Sequence, residues 1–250
     1  MSLRRALLRI YHVPTCWLSW AVFGFVGLIL NAVCAVLLLF PNRQRRGPAV
    51  RATIHRLFGA WCGWLHASRL IYVHWTGFTP EATAGPAVYV SNHPGILDAT
   101  FLLAQLPDTI CIFKPAIIRN PALGPAAIMG GYVSGDTGVD LIRDVAEKIQ
   151  EGRSLLIFPE GTRTAVGATL NPLKPGFALI ATRAAAPIRL IVIRAPRDLV
   201  PKGSPWWRTP TFPADVHIEL LGDLLAGPGE SAAELTARAG RQISLALTRT

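Results

Sequence analysis

Charge is scarce in this chain, and acidic charge is the scarcest. Charged residues make up 16% of the 250 positions, and 15 Asp and Glu stand against 25 Lys and Arg. Soluble domains carry about 25% charged residues, so the shortfall argues that part of the surface meets lipid. Cysteine is sparse too. Cys16, Cys34, Cys62 and Cys111 lie far apart in apolar neighbourhoods with no metal-ligand spacing, which argues against a cysteine-built metal site and for buried free thiols in a reducing compartment. Internal repeats, low-complexity tracts, zinc-finger spacing and aromatic-basic RNA motifs are all missing. Those absences argue against a nucleic-acid partner, even though the net charge is +10.

What is abundant is apolar sequence, 51% of the chain. The stretch from Cys16 to Phe40 has no charged residue, and Trp17 and Trp20 sit near one end as in an aromatic belt. A helix of about 20 residues crosses a bilayer core, so this run is long enough for a membrane helix. It is too long for a signal peptide and ends in Leu-Leu-Leu-Phe-Pro without a cleavage pattern. Arg4, Arg5 and Arg9 precede it, while Arg43, Arg45, Arg46, Arg51 and Arg56 follow. The excess after the run places the rest of the chain on the cytoplasmic face, whether the helix spans or re-enters.

Residues 49–75 are expected to form a second helix. It has apolar stripes (Val50, Ile54, Leu57, Phe58, Trp61, Leu65) and basic positions, and so suits the headgroup layer or a berth on the following domain. His55, His66 and His74 have no repeat that aims them at one metal. Beyond Gly85 the pattern changes. Strands are expected at 87–91, 109–113, 154–158, 188–193 and 216–221. Helices are expected from Pro94 to about 106, over 139–150 with Thr137 as cap and Gly152 behind, and from a capping box at Ser231–Glu234 to about 247. This alternation gives an α/β fold, a mostly parallel sheet flanked by helices, preceded by a membrane helix and an amphipathic helix. Residues 1–76 are then anchoring helices and 77–250 a catalytic domain, with the site at the carboxyl ends of strands.

Two motifs carry chemistry, each directly after a strand. The first is Asn92-His93-Pro94-Gly95-Ile96-Leu97-Asp98. An Asp bonded to one imidazole nitrogen fixes the tautomer and leaves the other nitrogen to take a proton. With no serine in the motif, the nucleophile is a substrate hydroxyl. The second is Phe158-Pro159-Glu160-Gly161-Thr162-Arg163-Thr164. Gly161 permits close backbone approach, and Arg163 offers a planar fork to a phosphate or carboxylate.

Together these residues resemble the glycerolipid acyltransferase superfamily, whose best known branch acylates lysophosphatidic acid. The resemblance extends to Lys114 with Asn120-Pro121-Ala122-Leu123-Gly124, to Lys174-Pro175-Gly176 and to Pro187-Ile188. It implies that His93 deprotonates the acceptor hydroxyl as that oxygen attacks an acyl thioester, while Asp98 orients and stabilises His93. It further implies that Asn92, Lys114, Glu160, Gly161, Thr162, Arg163 and Lys174 bind substrate. No metal or cofactor is implied. The partners are membrane lipids and an anionic acyl donor, either acyl-CoA or acyl-carrier protein, and the oligomeric state stays open. The chain departs from the pattern at Thr137, where family members carry an arginine for the acceptor phosphate, and at Leu190, in the region of a missing proline. The acceptor is thus a lysophospholipid such as 1-acylglycerol-3-phosphate, a lipid without phosphate, or a lipid or polyketide-like product of a specialised pathway. A transacylase and an inactive lipid-binding scaffold are the competing expectations. The loop Pro205-Trp206-Trp207-Arg208 is expected either to dip into the interface or to pack on its own domain.

Overall fold

The computed structural model describes residues 3–41, 43–135, 139–199, 201–205 and 208–249. Thr137, with Asp136 and Gly138, lies outside these, as do Trp206 and Trp207, so the expectations placed on them lie outside the described residues. The elements are α1 (Leu3–Leu37), a 3-10 turn (Arg43–Arg46), α2 (Gly47–Ala67), β1 (Ile71–Thr76), β2 (Val88–Ser91), α3 (Asp98–Gln105), β3 (Thr109–Phe113) and α4 (Pro115–Ile118). They continue with α5 (Gly124–Met129), β4 (Val133–Ser134), α6 (Val139–Gln150), β5 (Ser154–Ile157), α7 (Gly176–Ala184), β6 (Ile188–Arg194), β7 (Ala214–Leu224) and α8 (Ala232–Thr248).

Among the described residues the strands form one sheet in the order β1-β7-β6-β2-β5-β3-β4. Every pairing is parallel except β6 with β7. Alternation along the buried strands builds two core layers. Tyr89, Cys111, Leu156, Ile191 and Ile193 face α2 and α3. Val88, Val90, Ile110, Leu155, Leu190 and Val192 face α6, α7 and α8. Leu190 is fully inside β6, where a proline would remove a backbone donor. Ser231 and Glu234 form the expected reciprocal capping box of α8.

The second helix is shorter than its sequence pattern. It stops at Ala67, because Arg69 adopts a left-handed conformation (φ 56°) and the N–H groups of Arg69 and Leu70 return to the carbonyls of His66 and Leu65. Residues 71–75, expected as its last turns, instead belong to an edge strand, Ile71–Thr76. β-Branched and aromatic side chains (Ile71, Tyr72, Val73, Trp75, Thr76) suit a pleated surface better than a helix end. A boundary after residue 76 therefore cuts an edge strand off from the catalytic domain with the helices. The helix expected from Pro94 likewise begins later, at Asp98, after a turn.

α2 is docked. Arg51, itself buried, bonds Asp108 through Nε at 2.5 Å and the Gly130 carbonyl through Nη1 at 2.9 Å. His55 Nδ1 lies 3.0 Å from the Leu103 carbonyl. α1 presents two faces. His12, Cys16, Ser19, Asn31 and Cys34 are buried at helical spacing. Trp61 Nε1 donates to Ser19 Oγ at 2.9 Å, and Asn31 Oδ1 accepts from Ala126 N–H at 3.0 Å. Phe25, Leu28, Ile29, Val33 and Val36 form an exposed apolar face on the other side. Leu8–Leu37 is long and apolar enough to cross a membrane.

Candidate active site

The carboxyl ends of β2, β3 and β5 point the same way because these strands pair in parallel, and both motifs begin there. Asn92 turns back into the sheet. Its Nδ2 donates to the Ile193 carbonyl and its Oδ1 accepts the Ile193 N–H, both at 2.8 Å, extending the β2–β6 ladder by side chain. Expected to bind substrate, it uses its polar atoms inside the protein.

His93 follows, with its ring stacked on Phe158 at a centroid distance of 4.2 Å. Nδ1 lies 2.8 Å from Asp98 Oδ2, and the same oxygen accepts the Gly95 N–H at 2.8 Å. Asp98 opens α3, where the helix dipole favours a negative charge. Its side chain is 2% exposed and that of His93 20%. Burial pushes the Asp98 carboxyl above its ordinary range, and the bond from His93 works against that rise. A carboxylate cannot donate, so Nδ1 is the donor in this contact, and in the neutral ring that tautomer leaves Nε2 a lone pair.

The second motif fixes the backbone of the first. Glu160 Oε1 accepts the His93 N–H at 2.8 Å and the Thr164 hydroxyl at 2.9 Å, and its Oε2 accepts the Asn171 N–H at 2.9 Å. Thr164 N–H in turn donates to the His93 carbonyl at 2.7 Å. Glu160 is buried. Its carboxylate holds the loops together, a use the sequence pattern does not reveal. Gly161 has φ +67°, and a Cβ there would sit 3.1 Å from Lys174 Nζ, so glycine lets that lysine lie across the loop. Arg163 Nη1 donates to the Pro201 carbonyl at 2.9 Å, reaching the connection between β6 and β7.

His93, Gly161, Arg163 and Lys174 border a cavity of about 720 Å³. His93, Thr162 and Gly161 line it, as do Ile96, Cys111, Ile112, Phe113 and Leu156, which give it an apolar wall. Its charged lining, among the described residues, is Lys114, Arg163, Lys174 and Lys202, with no carboxylate. Lys202 has no sequence signal: it is a single lysine in a loop rich in proline. Asn171, which holds Glu160 and also donates to the Arg163 carbonyl at 3.2 Å, has none either. No group of three or more His, Cys, Asp or Glu is placed to hold a metal among the described residues. The arrangement offers a proton acceptor at the rim of an apolar cavity, next to cations suited to an anionic substrate.

The sequence and fold resemble those of known proteins. The family described as Acyltransferase matches residues 72–194. A lyso-ornithine lipid O-acyltransferase of Pseudomonas aeruginosa is 30% identical over 214 residues, covering 84% of this chain and 78% of that protein. A 1-acyl-sn-glycerol-3-phosphate acyltransferase of Cocos nucifera is 28% identical over 75% of this chain. A chloroplastic enzyme of the same description from Brassica napus is 35% identical over 48% of it. The matched stretches span 59% and 36% of those two plant proteins. The crystal structure of the 1-acyl-sn-glycerophosphate acyltransferase PlsC from Thermotoga maritima superposes with a TM-score of 0.67, covering 99% of this chain and 98% of that one. At 20% identity the likeness is one of fold.

Proposed function

Because the chain belongs to the glycerolipid acyltransferase superfamily, we propose that it moves a fatty acyl group from a thioester donor to the hydroxyl of a lysolipid such as 1-acylglycerol-3-phosphate. The observation that carries this reading is the 2.8 Å contact between His93 Nδ1 and Asp98 Oδ2 beside the cavity. Nε2 of His93 takes the acceptor hydroxyl proton as that oxygen attacks the thioester carbonyl. The tetrahedral intermediate collapses, the C–S bond breaks, and the departing thiolate recovers the proton from the imidazolium. Asp98 stabilises the positive ring between the two steps. Arg163, with Lys114 and Lys174, meets the anionic parts of donor and acceptor. Both acyl-CoA and acyl-carrier protein present phosphate to this cationic rim.

The length and apolar face of α1 support association with a membrane. Its buried face fits the catalytic fold from His12 to Cys34, so the helix lies along the domain instead of projecting from it. Its exposed apolar face then enters one leaflet, on the cytoplasmic side by the arginine excess after the run. α1 packs against α5, which exposes Ile128 and follows exposed Leu123. The preceding α4 supplies Pro115 and Ile117 to the cavity wall. A lysolipid thus has a short path from leaflet to His93.

A second acceptor reading rests on its own observation. Thr137 replaces the arginine that the resemblance assigns to the acceptor phosphate, and the lyso-ornithine lipid enzyme aligns over most of both chains. A lysolipid without phosphate is the acceptor on this reading. A mass-spectrometric transfer assay on vesicle-reconstituted protein tests both. It supplies acyl-CoA and acyl-carrier protein separately, with phosphate-bearing, carboxylate-bearing and neutral lysolipids as acceptors. Transfer that survives His93→Ala would overturn the mechanism.

A further inference from the structure

In its described residues (195–199, 201–205 and 208–213), the connection between β6 and β7 is more than a surface loop. Leu199 is 5% exposed, packed with Cys16, Trp61 and Leu97 where α1, α2 and the sheet meet. Its carbonyl oxygen would lie 3.2 Å from a Cβ built on Gly95, so the connection crosses the turn between His93 and Asp98 at close range. Two residues on, the Pro201 carbonyl accepts Arg163 Nη1 at 2.9 Å. The next residue is Lys202. Arg163 holds the carbonyl just before it, and the exposed side chain of Lys202 lines the cavity.

We infer that Lys202 is a specificity-determining residue that binds the anionic head group of the acyl acceptor alongside Arg163; the inference rests on the acyl-transfer reading of the same cavity. Arg163 uses one of its N–H groups to hold Pro201, so part of its fork is occupied before substrate arrives. An anion with two or three oxygens needs donors from more than one direction. The cavity supplies them from separate loops: Lys114 after β3, Arg163 and Lys174 after β5, and Lys202 after β6. With no described carboxylate in the lining, these charges add up to a field that concentrates anions at the mouth. The ligand chemistry is a phosphomonoester or a carboxylate close to the reacting hydroxyl.

The test is steady-state kinetics of the full chain in vesicles, comparing wild type with Lys202→Gln and Lys202→Arg. Acceptors are 1-acylglycerol-3-phosphate, a carboxylate-bearing lysolipid and neutral monoacylglycerol. Lys202→Gln is expected to raise KM for the anionic acceptor in use about tenfold, with kcat within about twofold, as loss of one charge-assisted bond implies. KM for monoacylglycerol and for the acyl donor should not move, and Lys202→Arg should restore the anionic KM. An unchanged anionic KM, an equal rise for the neutral acceptor, or a rise confined to the donor would each overturn the inference, the last assigning Lys202 to donor phosphates. If the wild type turns over none of these acceptors, the acyl-transfer reading fails by itself. Equilibrium binding to a His93→Ala protein, with and without Lys202→Gln, then decides. Weakening of anionic lysolipid binding alone upholds the inference, and equal binding overturns it.

Discussion

Glu160 Oε1 receives the backbone N–H of His93 at 2.8 Å. The second motif thereby grips the first, and the histidine proposed as general base is held from the end of the neighbouring strand, β5. Glu160→Gln tests this directly. A glutamine has one acceptor oxygen for the three donors Glu160 now serves, so at least one is left facing an amide N–H₂. The expected outcome is a loss of about 1–3 kcal/mol in stability, the cost of an unsatisfied buried group, with a fall in kcat that exceeds any rise in acceptor KM. A variant with normal thermal stability and a raised KM alone would return Glu160 to substrate contact.

Asp98→Asn separates charge from shape. The oxygen at the Oδ2 position accepts from both the His93 ring and Gly95, so the amide oxygen should occupy it and the ring should keep its tautomer. What disappears is the negative charge that steadies the imidazolium. Single-turnover assays should find the transfer rate down by about 10²–10⁴, the range for general acid–base catalysis.

The same substitution predicts a pH effect of definite sign. Burial raises the Asp98 carboxyl above its ordinary 3.8 in the fold, so the native state holds that proton more tightly than the unfolded chain does. The group's contribution to stability is full below the unfolded value and is lost as pH rises through the folded one. The amide of the Asp98→Asn variant does not titrate, so Tm of the variant relative to wild type should improve as pH rises from about 4 towards neutrality. Parallel Tm curves in detergent would show that burial does not govern this carboxyl.

Gly124→Ala should damage the cavity wall from behind. A Cβ at Gly124 would lie 2.1 Å from the Ile118 carbonyl oxygen, and backbone on both sides must move. Because α4 and α5 then separate, a loss above about 2 kcal/mol is expected, with activity falling through the displaced Lys114. Thermal melts and turnover at a permissive temperature measure the two effects.

The exposed side of α1 should govern membrane binding without supporting the fold. Phe25→Lys with Ile29→Lys places two charges on that face. Vesicle flotation should drop at least about tenfold, since burying either apolar chain is worth about 1.5–3 kcal/mol. Circular dichroism should be unchanged. Undiminished flotation would move the lipid contact to another surface.

The sequence pattern reached most of the catalytic fold because its signals were local. Thr109–Phe113 and Val139–Gln150 are bounded by their own residues, and the Ser231–Glu234 box announces α8. What it missed depends on distant partners. Residues 71–76 follow a helix with no proline between, and only pairing with β7 makes them a strand. The reversed direction of β7 relative to β6 is set by a long connection with no helical period. The motifs located His93 and Asp98, but spacing could not reveal that Asn92 and Glu160 are used inside the protein, since their partners Ile193 and Asn171 lie 101 and 11 positions away. Lys202 lines the cavity on a connection held by distant partners, Leu199 in the core and Arg163 on the Pro201 carbonyl.

α1 also closes off a convenient shortcut. Its inner side sets His12 against Phe212 at 5.8 Å, Ser19 against Trp61, and Asn31 against the first turn of α5. Trimming the chain to begin at Gly47, in the hope of a detergent-free enzyme, would strip the cover from Trp61, Leu65 and Met129, which are buried in the whole chain. The trimmed protein would exchange a greasy surface that faces lipid for one that faces itself, and would precipitate with its catalytic loops still in sequence. Hydrophilic replacement of the outer face, with the inner face left intact, is the route to a soluble form that this packing permits.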